Sequence, residues 1–238
     1  MTPAKPARFY KDVSAAEADG SFEILLDGRP AKTPGRSALR VPNETLAKAI
    51  AAEWRWQREH IDPATMPLTG LACAAIDLVQ HHRGKVIDHI LGFGRSDLLC
   101  YRAEPPSELS HRQATAWNPC LEWLKDAYGV TLQVGAGVSF VEQPVGAQLE
   151  FERVVSALND FELAAFDKAS GITGSFVLGL AILGCRLRAD EAFALSRVDE
   201  DFQAEKWGRD PEAESRRAQL RSELEAVERF LEALRSSA

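Results

Sequence analysis

The chain has 238 residues, 45% of them apolar and 26% charged, with a formal net charge of −7. Such a balance sets long disorder aside, and the length fits one compact body with a smaller module attached. A pI near 5.4 opposes attraction to phosphate backbones and anionic lipid, so neither nucleic acid nor a membrane surface is an expected partner.

The first forty residues predict a small antiparallel sheet. Arg8-Phe9-Tyr10-Lys11 and Phe22-Glu23-Ile24-Leu25-Leu26 read as extended runs, Asp19-Gly20 and Asp27-Gly28 as turns, and Ala38 to Val41 as the last strand. The start, Met1 to Lys11, reads neither as a secretory signal nor as an Arg-rich transit peptide, which places the expected site of action in bacterial cytosol. After Pro42 the period changes. Asn43 is a good N-cap, and Leu46, Ile50 and Trp54 recur every four residues, drawing an apolar helical stripe that Asp62-Pro63 ends. Further helical stretches are predicted from Leu68 to Val79 and Gly84 to Gly94. Another runs from Ser107 to Tyr128, where Pro119 implies a kink or a new start and Gly129 a stop.

Val130 to Val141, with Gly135 and Gly137, suggests a hairpin or paired extended strip. Helices are then predicted near Ala147–Asn159, Phe161–Gly184, Asp190–Trp207 and Pro211–Leu234. The last carries Leu220, Leu224, Val227, Leu231 and Leu234 at alternating four and three spacing, too short for a coiled coil and better suited to packing in its own bundle. The stretch Ile172 to Cys185 is too short to cross a bilayer and predicts a buried helix, with no stable membrane insertion. Cys73, Cys100, Cys120 and Cys185 lie far apart and read as reduced core thiols. The fold class expected is α+β, mainly helical: a small β-rich domain over 1–42 and a larger helical domain over 43–238.

Catalytic signatures are scarce. Gly92-Phe93-Gly94 lacks a third glycine, Gly171 to Gly174 has no following Lys-Ser/Thr, and no GxSxG or HExxH occurs. Gly174, Gly179 and Gly184 read instead as close-packing positions between helices. Ser175 reads as mid-helix, its hydroxyl bonded back to a carbonyl. His81 and Asp77 share helical spacing, but no array of ligands accompanies them, so neither metal nor cofactor is expected. Asp199-Glu200-Asp201 is the densest acidic cluster. Its three side chains point about 100° apart around a helix, which fits a solvated face or a dock for basic side chains better than a carboxylate pair. An enzyme with a pocket between the two domains, using His111, Asp97 or Glu122, is the alternative.

Several segments in order carry a resemblance. They are Glu53-Trp54-Arg55-Trp56-Gln57, Pro67 to Ala72 with Ala75-Ile76-Asp77, and Asp97-Leu98-Leu99-Cys100-Tyr101-Arg102. Then come Trp117-Asn118-Pro119, Glu122-Trp123, Tyr128-Gly129-Val130, Leu195 to Gln203 and Lys206-Trp207-Gly208. Together they resemble the assembly chaperones for the α subunit of the F-type ATP synthase, known from mitochondria and α-proteobacteria. The resemblance implies a non-enzymatic protein without cofactor, monomeric when free, whose client is the α subunit. The chaperone would mask the surface that later meets the β subunit. It implies a partner-facing set of Glu200, Asp199, Asp201 and Gln203, with Trp207, Trp56 and Arg102 beside them. Glu200 is the leading member. Trp54, Trp117 and Tyr101 are expected to be structural, Trp54 because it continues the Leu46 and Ile50 stripe.

Overall fold

The computed structural model describes residues 5–137, 139–208 and 210–236. In chain order the elements are β1 (Val13–Ala18), β2 (Ser21–Leu26), β3 (Arg29–Pro30), β4 (Arg40–Val41), α1 (Glu44–Trp56), α2 (Pro67–Ala74) and α3 (Gln80–Arg95). There follow β5 (Tyr101–Arg102), α4 (Glu108–Tyr128), β6 (Gly135–Ala136), α5 (Val145–Ser156), α6 (Asp160–Thr173) and α7 (Phe176–Leu183). The chain ends with α8 (Ala189–Leu195), α9 (Val198–Trp207) and α10 (Pro211–Arg235). The architecture is α+β and mainly helical, an antiparallel strand region near the N-terminus followed by many helices. Two compact units form. The first comprises the described residues of Met1–Arg83, Asp160–Ala165 and Arg229–Ala238, the second those of Gly84–Asn159 and Phe166–Glu228.

In the first unit β2 is the central strand, paired antiparallel with β1 along one edge and with β3 and β4 along the other. Two tight turns fix this register. Asp19 and Gly20 have φ of 51° and 73°, and Asp27 and Gly28 have 48° and 75°. Two successive left-handed residues make the two-residue turn whose twist matches antiparallel strands. The first partner of β2 is Val13 to Ala18, not the predicted Arg8–Lys11 run. That run lies against the end of α1 instead: the Arg8 guanidinium donates to the Gln57 carbonyl at 2.7 Å and covers the Tyr10 ring, and Tyr10 Oη donates to the Trp54 carbonyl. Strand β1 reads poorly in the sequence because Ala15, Ala16 and Ala18 favour helix, and turn chemistry with cross-strand pairing overrides that preference.

Asn43 caps α1 by accepting from Leu46 N, and Leu46, Ala47, Ile50 and Ala51 are buried. Glu53, on the same helix, reaches the first turn of α2 and accepts from Leu68 N, Thr69 N and Thr69 Oγ1 at 2.7–2.8 Å. It supplies from outside the acceptors that a helix start leaves wanting. A π turn over Ala75–Val79 follows α2, and His82 leaves helical geometry at φ −137°.

The second unit is built around α7, of which only Leu183 is not fully buried. The predicted single helix from Phe161 to Gly184 is divided in two, because Gly174 takes φ 68° and ends α6. Gly174 therefore acts through its backbone rather than by close packing. Gly179 does act by close packing, since a Cβ there would lie 2.8 Å from the Phe166 ring. Ser175 begins α7 as its N-cap, so the expected mid-helix bond is replaced by one to Asp97. Fully buried Asp97 accepts from Ser175 Oγ, Val177 N and Leu99 N, tying a short 3-10 turn (Leu98–Cys100) to the start of α7.

Other expectations change as well. The Asp190–Trp207 helix is two, α8 and α9, which meet at Ser196 and Arg197. Pro119 does not divide α4; the hydrogen bond it forgoes would go to exposed Thr115, where water can replace it. Of the hairpin or paired extended strip predicted over Val130–Val141, the described residues form no hairpin; a short paired piece is present, β6 lying parallel to β5 within an otherwise irregular segment, and Val138 lies outside the described residues. Of the cysteines, Cys100 and Cys120 are buried and Cys73 is half-buried, but Cys185 is exposed, contrary to a core role.

Candidate functional site

Helix α9 differs from its neighbours in having no buried residue. Its ten residues include three acids in the first turn and Lys206 in the last, a distribution that suits the helix dipole. Its one aromatic residue besides Trp207, Phe202, has Arg112 and Lys206 over its ring, each 5.2 Å from the centroid. Arg112 also bonds Glu108 and Glu205, both at 2.7 Å, and Lys206 reaches Glu108. Charged contacts hold α9 to α4, and a helix held this way is a poor core element and a good exchangeable surface.

The three acids diverge as helical spacing requires. Asp199 turns to α4, accepting from Gln113 Nε2 at 2.7 Å, and burial raises its pKa above the usual carboxylate value. Asp201 turns to α10 and pairs with Arg217 at 2.6 Å. Glu200 points outward, its side chain 52% exposed, and among the described residues its ion pair is with Arg197 one turn back at 2.7 Å. Arg197 is only 19% exposed and also donates to the Ile172 carbonyl, so Glu200 is the solvent-facing member of the pair.

Beside Glu200 a groove of about 470 Å³ opens between α9 and the first turns of α10. Gln203, Ala204 and Trp207 line one wall, Ala213, Arg217 and Leu220 the other. Trp207 is 80% exposed, and Gly208 with φ 90° ends its helix. Three of the sequence-predicted residues, Glu200, Gln203 and Trp207, thus come together on one groove, whereas Asp199 and Asp201 flank it and bond inward. The α10 wall was not anticipated. Leu220 was assigned to the heptad seam, yet it is only half-buried while Leu224, Val227 and Leu231 are covered. The run of charged residues before it, Glu212 to Arg217, was the available signal that the seam does not extend that far.

The other predicted residues lie elsewhere. Trp117 is fully buried and donates from Nε1 to the Leu195 carbonyl at 2.8 Å. Arg102 lies over that indole at 4.8 Å, donates to the Leu99 carbonyl and Asn118, and is pulled below its ordinary pKa by burial. Tyr101 is half-buried in β5. In the first unit Trp54 is half-buried edge-on to Tyr10, with its Nε1 buried and without a partner. Trp56 projects outward at 78% exposure.

Asp97 is removed from any solvent-facing chemistry by its burial and its three donors, which leaves the enzymatic alternative without that residue. Burial pushes its carboxyl up to about 6 and the Cys100 thiol up to about 12. His89 bonds Asp167. Among the described residues no cluster of three or more His, Cys, Asp or Glu could hold a metal, and no helix is long and apolar enough to cross a membrane.

Residues 7–125, half of the chain, match the family described as ATP12 chaperone protein. The chain is 30% identical over 213 residues to the mitochondrial protein atp12 of Schizosaccharomyces pombe, covering 84% of this chain and 73% of that one. The crystal structure of Atp12 from Paracoccus denitrificans superposes with a TM-score of 0.92 at 40% identity, over 97% of this chain and 99% of that one. A point mutant of the same protein gives 0.92 at 39% identity, over 98% of this chain and all of that one. A protein of Agrobacterium tumefaciens gives 0.92 at 39% identity, over 97% of this chain and 87% of that one. On these matches, which together span nearly its whole length, the chain belongs to the ATP12 chaperone family.

Proposed function

We propose that this chain is an assembly chaperone that holds the free α subunit of the F-type ATP synthase, masks the surface that will meet the β subunit, and releases it on assembly. Membership of a chaperone family supports the class. The observation that carries the site is α9, a helix without a buried residue whose outward Glu200 borders an apolar groove with Trp207 at its mouth. A ring subunit exposes large apolar contacts before its neighbours arrive, and such patches aggregate. The groove is mainly apolar and carries three arginines, Arg197, Arg216 and Arg217, beside three acids, Glu200, Asp210 and Glu214, which suits a client segment that mixes apolar side chains with charges of both signs.

The cycle needs no chemical step. Binding sequesters the client, and the β subunit, offering a larger interface, displaces the chaperone by mass action. No cofactor takes part in it. The similarity to proteins of P. denitrificans and A. tumefaciens supports a role in the bacterial cytoplasm. Within α9 and its surroundings, Glu200, Gln203 and Trp207 would touch the client, and Asp199, Asp201 and Arg102 would hold the shape of that surface. Trp56 would be a separate contact on the first unit. The test is co-expression with the cognate α subunit: soluble α should rise and co-purify with this chain, and added β should release it. Soluble α that neither increases nor co-purifies would overturn the proposal.

A further inference from the structure

Among the described residues eight large apolar side chains stand exposed, and four of them, Val134, Phe140, Val145 and Leu149, fall within one short stretch of the second unit. Their exposures are 48%, 71%, 75% and 60%. None of the four lines the α9–α10 groove. Single exposed apolar residues need no explanation, but a concentrated group does.

The stretch is built to hold these side chains out. Gln143, almost fully buried, closes the base of the loop by accepting from Gln133 N at 2.9 Å and donating to its carbonyl at 3.0 Å. Gly135 lies so close to the Val141 side chain that a Cβ there would collide with it, and β6 is tied to β5. Helix α5 then buries Ala147, Phe151 and Val155, with Phe151 stacked on Phe176 at 4.0 Å. Val145, Leu149 and Glu152, at i, i+4 and i+7, are left on the outer face. A surface anchored in this way has little freedom to lose on binding.

Its charge selects the occupant. From Asp126 to Glu152 the chain carries the acids Asp126, Glu142, Glu150 and Glu152 and not one Lys or Arg. Glu150 is paired with the nearest following cation, Arg153, at 2.6 Å, so Asp126, Glu142 and Glu152 carry the net charge of the stretch. A second copy would bring like charges together, and an anionic membrane would be repelled. We infer that Phe140, Val145 and Leu149 form a second docking surface, separate from α9, for a protein segment that presents apolar side chains beside lysine or arginine. The inference rests on the chaperone reading in that the occupant is a protein client.

The test uses the full chain and two labelled 14-residue helical peptides, one of leucine and lysine, the other of leucine and glutamate, with binding read by fluorescence anisotropy. The Leu/Lys peptide should bind and the Leu/Glu peptide should not. Replacing Phe140, Val145 and Leu149 together by serine should weaken binding about tenfold with an unchanged Tm. Glu142→Lys with Glu152→Lys should also weaken it. Equal binding of both peptides, or indifference to the serine variant, would overturn the inference. So would loss in that variant of concentration-dependent dimerisation, or of co-sedimentation with phosphatidylglycerol vesicles, since these assign the surface to a second copy or to lipid. Failure here with α capture intact would leave the proposed function standing; the reverse result would reject the α client and keep the surface.

Discussion

Helices α7 and α9 belong to the same unit and differ in nearly every physical respect. Helix α7 is packed on all sides, and its start is fixed by Ser175 and the buried carboxylate of Asp97. Helix α9 has no fully buried residue and is held by Gln113, Arg112 and Arg217 through polar contacts. One is a scaffold that tolerates no change of partner. The other has a surface whose polar contacts can be traded for those of a client at small cost, because exposed ion pairs are worth little on their own.

The contrast breaks most severely at Asp97. Asp97→Ala would leave three buried donors without an acceptor, and urea unfolding should record a loss of about 3–5 kcal/mol. The same residue gives a pH signature. Its folded-state pKa, raised to about 6 from 3.8, means that between those values the folded chain holds a proton that the unfolded chain has released. Its contribution to stability therefore increases as pH falls from about 6 to about 4, by up to about 3 kcal/mol, and is flat above that window. Asp97→Asn should lack this slope in urea titrations run at several pH values. An unchanged slope would place the titration on another group.

Packing gives the next effect. A Cβ on Gly94 would sit 2.7 Å from the Phe151 ring, so Gly94→Ala should cost about 2 kcal/mol in the same assay. On the α9 side the effect should be smaller and local. Phe202→Ala, which removes the ring beneath Arg112 and Lys206, should cost about 1 kcal/mol or less. It should speed amide exchange across α9 while leaving α7 protected; equal acceleration of both would show α9 to be part of the core.

The sequence made one side of this contrast easier to read than the other. The Asn43 cap, the Leu46 and Ile50 stripe and the Ser107 and Gly129 limits of α4 are local signals, and they appear in the fold at those residues. Local signals also mark the Asp19-Gly20 and Asp27-Gly28 turns. What they do not carry is pairing at a distance. Strand β1 is rich in alanine, β6 finds its partner more than thirty residues back, and Ser175 looks mid-helix until Asp97 arrives from another part of the chain. On the candidate site, the acidic run and Trp207 were visible as residues, but not that Asp199 and Asp201 turn inward while Glu200 remains outside. The second wall of the groove could not be read from α9, because it depends on where α10 lies beside it. The exposed group at Phe140, Val145 and Leu149 is not legible in the sequence, because apolar residues in a predicted extended strip or near a predicted helix read as core until burial is known.

The role of α9 is tested most directly by α-subunit capture with the Glu200→Lys variant, measured beside its unfolding free energy. Stability should stay within about 0.5 kcal/mol of the parent chain, and co-purified α subunit should fall at least tenfold. Capture equal to that of the parent, or a loss of capture matched by a loss of stability, would contradict that role.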